Sequence, residues 1–110
     1  MSSAAPQAQL SDGVLMVSGH VDFDSVVGLR RQGEALITSG SQTLTVDLEA
    51  LENAHSVVLS LLLCWRRLAA ARNVELSFRG VSDRLASLAA LSNLDAELPG
   101  FAPEADTATH

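Results

Sequence analysis

Two neighbouring residues, His55 and Ser56, are of types that could act together as a base and a nucleophile. A nucleophilic serine needs an adjacent general base and an oxyanion hole. Side chains that are adjacent in sequence rarely face each other, and no Gly-x-Ser-x-Gly sequence surrounds Ser56. The other histidines, His20 and His110, are remote in sequence, so the spacing builds neither a catalytic triad nor a metal site. We therefore expect a protein without enzyme activity, metal or cofactor.

Asp47 and Cys64 have simple structural interpretations. Asp47 comes late in a strand, where an aspartate more often caps a turn than serves as a site carboxylate. Cys64 is the single cysteine of the chain, so it cannot form an internal disulfide and is most simply a small packed residue. A chain without an internal disulfide suits a reducing cytoplasm.

Ser56 can be interpreted in three ways. It can be a helix cap, a role worth about 1 kcal/mol. It can be a contact in a protein interface. It can also be a phosphorylation site, because the free N–H groups and the macrodipole at a helix N-terminus favour a phosphate. The residues themselves leave these three roles open.

Hydrophobic periodicity predicts the elements that position Ser56. Thr43 to Leu48 alternates as a strand, and the Leu- and Ala-rich segment to Ala71 is a helix that begins at or near Ser56. The remaining predicted elements are strands at Gln7 to Ser11 and Val14 to Ser18 around an Asp12-Gly13 turn, a helix capped by Asp22 or Asp24 and ending before Gly40, a strand at Val74 to Arg79, and a helix from Ser82 to about Asn93. We predict a small α/β domain in which an about four-stranded, mixed or mostly parallel sheet packs with about three helices.

The central helix divides into two faces at about 100° per residue. The predicted core side carries Val58, Leu61, Leu62, Trp65, Leu68 and Ala69. The predicted outer side carries Ser56, Leu59, Ser60, Leu63 and Arg67. This outer side is too apolar for a face in water, so we expect a partner protein to cover it.

Composition and charge exclude other classes of partner. The chain has 110 residues, 47% of them hydrophobic, and a formal net charge of −6 with scattered arginines, which disfavours binding to nucleic acid. The longest apolar run is far shorter than the roughly 20 residues that span a bilayer, so we expect no direct membrane insertion. We expect residues 1–6 to be flexible, residues 7–100 to form one domain and residues 101–110 to be a disordered tail.

From about residue 7 to 99, the chain resembles a STAS domain, the fold of anti-sigma-factor antagonists. The resemblance rests on the opening hairpin, Val46-Asp-Leu-Glu-Ala-Leu51, the serine at the head of the Leu-rich helix, and the last strand and helix. Within that family it is most similar to the small cytoplasmic STAS subunit of the Mla phospholipid-transport ABC system of Gram-negative bacteria. The matching segments are Leu61-Leu-Leu63, Val74 to Leu94 and Leu98-Pro99.

The family motif, Asp-Ser/Thr-Gly/Ser-Gly/Ala before Leu, corresponds to His55-Ser-Val-Val58 before Leu59. Loss of the acidic and small residues replaces a tight anionic turn by a bulkier one, which favours constitutive docking over recognition by a serine kinase. In the Mla-type subunit the matching hydroxyl residue contacts the ABC ATPase, and the resemblance implies the same contact for Ser56. We add His55 to this contact because it is adjacent.

The resemblance thus implies a cytoplasmic accessory subunit, peripheral to the inner membrane, that binds the ATPase of an ABC transporter, and through it the permease. Such a subunit supports intermembrane phospholipid transport and outer-membrane lipid asymmetry. The alternative is a partner-switching regulator of the anti-sigma-factor-antagonist type, controlled by phosphorylation of Ser56. A sensory or small-molecule-binding STAS module is a third interpretation.

Overall fold

The computed structural model describes residues 5–39, 42–52, 56–93 and 98. Their elements follow the predicted order β-β-α-β-α-β-α: β1 (Gln7–Ser11), β2 (Val14–Ser18), α1 (Val26–Ile37), β3 (Thr43–Asp47), α2 (Ser56–Ala71), β4 (Glu75–Arg79) and α3 (Asp83–Leu91). The strands form one four-stranded sheet in the order β1-β2-β3-β4. β1 pairs with β2 antiparallel, and the next two pairs are parallel. The predicted α/β class and mixed sheet are confirmed.

The opening hairpin turns at Asp12 and Gly13. Ser11 pairs with Val14, so the loop contains two residues. Both have positive φ angles, 51° at Asp12 and 78° at Gly13, as a type I′ turn requires. The Asp-Gly pair therefore fixes the register of β1 against β2, as predicted from the sequence.

One face of the sheet is buried and the other is open. The buried side chains alternate along three strands: Leu15 and Val17, Leu44 and Val46, and Leu76 and Phe78. The β2–α1–β3 and β3–α2–β4 connections step in the same direction along the sheet, so crossovers of the usual right hand place both helices over the same face. The alternate side chains, which include the 46% exposed Met16, form the open face.

Helices α1 and α2 meet through Trp65 and Gly33. The Trp65 side chain is fully buried, and its indole Nε1–H donates a hydrogen bond to the Arg30 carbonyl at 3.1 Å. A β-carbon at Gly33 would overlap Cε2 and Cζ2 of the indole ring. A glycine inside a helix is unfavourable by about 1 kcal/mol relative to alanine, which indicates either close packing at that position or a weaker helix. The structure shows close packing at Gly33.

Local hydrogen bonds close the C-terminus of α2 and cap the N-terminus of α3. Asn73 has a φ of 61°, and the Val74 N–H donates to the Ala69 carbonyl at 2.8 Å, which closes α2 with a Schellman motif. Ser82 caps α3 as predicted, since its Oγ accepts from the Leu85 N–H at 3.1 Å. Leu91, in the last turn of α3, is 82% exposed.

Gly33→Ala is expected to lower the free energy of unfolding by about 1–3 kcal/mol, because the added methyl group collides with the Trp65 ring. Gly28→Ala is the matched control in the same helix, since no atom of the described residues outside its own stretch of helix lies within 4 Å of its β-carbon position. That substitution should raise the free energy by up to about 1 kcal/mol through helix propensity. Urea denaturation followed by circular dichroism measures both, and equal effects would contradict the packing argument.

Candidate partner-binding site

The loops that follow β2 and β3 are joined at the carboxyl end of the sheet. Gly19 bridges to Leu51, its N–H donates to the Ala50 carbonyl at 3.3 Å, and its carbonyl accepts from the Glu52 N–H at 2.9 Å. This ladder brings the loop before α1 beside the segment that leads to Ser56. The carboxyl ends of parallel strands are where α/β folds place their functional loops.

The loop before α1 is held by Asp22 and Ser25. The Asp22 carboxylate accepts from the Ser25 N–H and from the Ser25 hydroxyl, both at 2.9 Å, and from the Asp24 N–H at 3.0 Å. In return the Asp22 N–H donates to Ser25 Oγ at 3.0 Å. These bonds, the Ser25 hydroxyl first, lower the pKa of Asp22 from its ordinary value of 3.8. Of the two predicted capping aspartates, Asp22 forms the bonds that organise the helix start.

This ordered loop presents apolar side chains that sequence reasoning missed. Phe23 is 84% exposed, and Val27, in the first turn of α1, is 53% exposed. Large exposed aromatic side chains are frequent anchors of protein interfaces. An available signal was the position of Phe23 between two aspartates, outside any hydrophobic periodicity.

Asp47 has the turn-capping role predicted for it. Its Oδ1 accepts from the Glu49 N–H at 2.9 Å, and its Oδ2 accepts from Arg79 Nε at 3.2 Å. Gly80, with a φ of 70°, approaches so closely that a β-carbon there would lie 2.8 Å from the Glu49 nitrogen. Asp47 thus fixes the loop after β3 against the end of β4.

Helix α2 shows an outer stripe at its exposed side, which we define as Ser56, Ser60, Leu63 and Arg67. Ser56, Ser60 and Arg67 are exposed, and Leu63 is half-buried against the core. The Ser60 hydroxyl donates to the Ser56 carbonyl at 3.4 Å. The stripe therefore begins with two hydroxyl side chains and continues with one apolar and one cationic side chain.

The placement of Leu59 on the outer side was wrong. Its side chain is only 2% exposed and belongs to the hydrophobic core. Leu59 lies about 60° around the helix axis from Ser56, at the border between the two faces, where a small rotation decides burial. Without Leu59 the outer side is more polar than predicted, so the sequence argument that it needs a covering partner loses its main support.

Ser56 is the first residue of α2, as the sequence predicts for a helix that begins at or near it. His55, predicted to share the contact, lies outside the described residues. After Ser56, Val57 is half-buried and Val58 is buried in the core, so the bulky residues in place of the family's small ones serve packing.

The described residues form no group of three or more histidine, cysteine, aspartate or glutamate side chains that could hold a metal ion. None of the helices in the described part of the chain combines the length and apolar character that crossing a bilayer requires. Cys64 is a half-buried free thiol.

The fold and the serine at the head of α2 define a STAS domain. The family model described as "Mlab, STAS domain" matches residues 4–100. The chain therefore belongs to the MlaB-type STAS domain family. No curated protein sequence matches it.

Several solved structures share this fold. The MlaB subunit of the Acinetobacter MlaFEDB complex, in an ATP-bound conformation, is 28% identical with a TM-score of 0.76, covering 84% of this chain and 97% of that one. An anti-sigma factor antagonist from Mycobacterium paratuberculosis is 24% identical with a TM-score of 0.65, covering 98% and 92%. Phosphorylated SpoIIAA, a cell fate determinant of Bacillus, is 19% identical with a TM-score of 0.63, covering 96% and 97%. The last two likenesses concern the fold alone.

Ser25→Ala is expected to raise the pKa of Asp22 toward its ordinary value, because the hydroxyl hydrogen bond is the largest cause of the lowered pKa. A carboxylate whose pKa is lowered on folding stabilises the folded state above its unfolded pKa, and this contribution is lost as the pH falls through the folded pKa. The variant should therefore lose less stability than the parent below about pH 4. Carboxyl-carbon NMR titration measures the shift. Ser25→Thr is the control, because it keeps the hydroxyl and should keep the lowered pKa. An unchanged Asp22 pKa in Ser25→Ala would contradict the assignment of the shift to this hydrogen bond.

Proposed function

We propose that this protein is a non-enzymatic accessory subunit that binds the ATPase of an ABC transporter for intermembrane phospholipid transport. It acts in the cytoplasm and is peripheral to the inner membrane through that complex. The observation that carries the proposal is the match to the MlaB-type family over residues 4–100. The likeness to the MlaB subunit of the Acinetobacter complex, which extends over 97% of that subunit, supports it.

The docking surface in this proposal combines two neighbouring parts. The first is the outer stripe, which begins at Ser56, and the second is the exposed pair Phe23 and Val27. The Gly19 ladder joins the loops that carry these parts. Phe23 supplies the apolar anchor that the outer stripe lacks after the burial of Leu59. Aromatic side chains are enriched in protein interfaces, and the rim around such an anchor is polar.

The second candidate function is a partner-switching regulator controlled by phosphorylation of Ser56. The observation in its favour is that Ser56 is exposed at the first position of a 16-residue helix. A phosphate there meets the free N–H groups and the positive end of the macrodipole. One observation argues against the regulator. Val57 and Val58 replace the small residues of the family motif, and Val58 is buried in the core, so the segment after the serine is less accessible to a kinase.

Ser56→Glu and Phe23→Ala are expected to weaken binding to the ABC ATPase without unfolding the domain. The glutamate places a charge in the interface, where its desolvation is poorly offset, while its position at a helix start favours folding. Removal of the Phe23 ring should weaken binding about thirtyfold or more, as for an interface hot spot. Co-expression with the ATPase encoded in the same genome, affinity purification and circular dichroism give both readouts.

Two matched substitutions serve as controls for these variants. Ser11→Glu adds the same charge to an exposed serine in β1. Leu91→Ala truncates an apolar side chain that is 82% exposed, close to the 84% of Phe23, but it lies in α3, which is not part of the proposed docking surface. Both should bind as the parent does. Recovery of a serine kinase in place of the ATPase would favour the regulator, and normal binding by folded Ser56→Glu and Phe23→Ala would refute the docking surface.

A further inference from the structure

A groove lies at the amino end of the sheet, at the opposite end of α2 from Ser56. It runs between the last turns of α2 and the start of β4, and its volume is about 430 Å³, within the roughly 300–1,000 Å³ of small-molecule sites. A second groove adjoins it and shares Thr43, Val74 and Glu75. We call the first one the Arg66 groove; its walls include Arg66, Ala70, Val74, Glu75, Leu76 and Ser77.

Arg66 brings an unpaired cation to this groove. Its Nε atom is buried and has no hydrogen-bond partner within the part of the chain that the structure describes. The ion pairs among the described residues join Arg30 to Glu34 and Arg79 to Asp47, so neither involves Arg66. A guanidinium held against protein with part of its hydration removed and no acceptor in return is unfavourable. An anionic oxygen supplied from outside the chain would offset that cost.

The residues that line the groove indicate which class of ligand would supply the anionic oxygen. Ala70, Val74 and Leu76 offer apolar surface next to Arg66, which suits an aliphatic chain attached to the anion. Glu75, also in the wall, is negatively charged. It repels a dianion such as a phosphate monoester more strongly than it repels a monoanion. A carboxylate is planar and matches the fork of guanidinium donors.

We infer that the Arg66 groove binds a monocarboxylate with an aliphatic chain, the carboxylate pairing with Arg66 and the chain packing on Ala70, Val74 and Leu76. The inference does not require the proposed docking function. The groove adjoins the Arg67 end of the outer stripe, whereas Ser56 and Phe23, where the docking variants are placed, follow the carboxyl ends of β3 and β2.

The probe is sodium octanoate, titrated into the isotopically labelled full chain at neutral pH and followed by amide NMR. We expect saturable shifts at Ala70, Val74 and Leu76. Arg66→Gln should weaken binding about tenfold or more, since a hydrogen-bonded charge pair is lost. Arg84→Gln, which makes the same change at an exposed arginine of α3, should bind octanoate as the parent does.

Octanol, titrated into the parent protein, tests the carboxylate without any substitution and should bind at least about tenfold more weakly. Shifts that do not saturate, equal binding of octanol and octanoate, or unchanged affinity in folded Arg66→Gln would each overturn the inference. Saturable octanoate binding that depends on Arg66 and on the carboxylate would establish it.

Discussion

The packing of Trp65 on Gly33 is the constraint on which the rest of the domain depends. The indole is the largest fully buried side chain, and it fits because position 33 has no β-carbon. Its hydrogen bond to the Arg30 carbonyl also fixes the position of the ring along the axis of α1. The rotation of α2 about its own axis is thereby set, which turns Ser56 and Ser60 outward and Leu59 inward. The composition of the outer stripe follows from this contact.

Local signals in the sequence were sufficient for much of this architecture. The Asp12-Gly13 turn specifies its own φ angles, Ser82 specifies the start of α3, and the alternation in β3 specifies its buried face. Gly33 drew attention because a glycine inside a helix is unfavourable, but the sequence left close packing and a weaker helix as alternatives, and the structure shows the packing. Each of these features depends either on residues that are close in sequence or on the periodicity of hydrophobic residues, and the sequence shows both directly.

The candidate site could be predicted only in part, for a physical reason. Helical periodicity identifies two faces but not where a third element covers the border between them, and Leu59 lies at that border. Phe23 belongs to a loop whose conformation depends on the hydrogen bonds between Asp22 and Ser25. Its exposure depends on how that loop lies against the rest of the fold, which local sequence patterns do not contain. Arg66 likewise gave no signal, because its groove is formed by segments from two strands and a helix that meet only in the folded chain.

The connectivity of the sheet has a consequence for how the chain folds. The β1–β2 ladder closes a two-residue loop, and hairpins of this kind form in about 1–10 μs. The β2–β3 and β3–β4 ladders are parallel, and each closes over a whole helix, so loop-closure entropy must be offset before their hydrogen bonds contribute. Packing of α1 on α2 through Trp65 and Gly33 contributes to that offset, so the parallel strands depend on the helices that connect them as well as on their own hydrogen bonds.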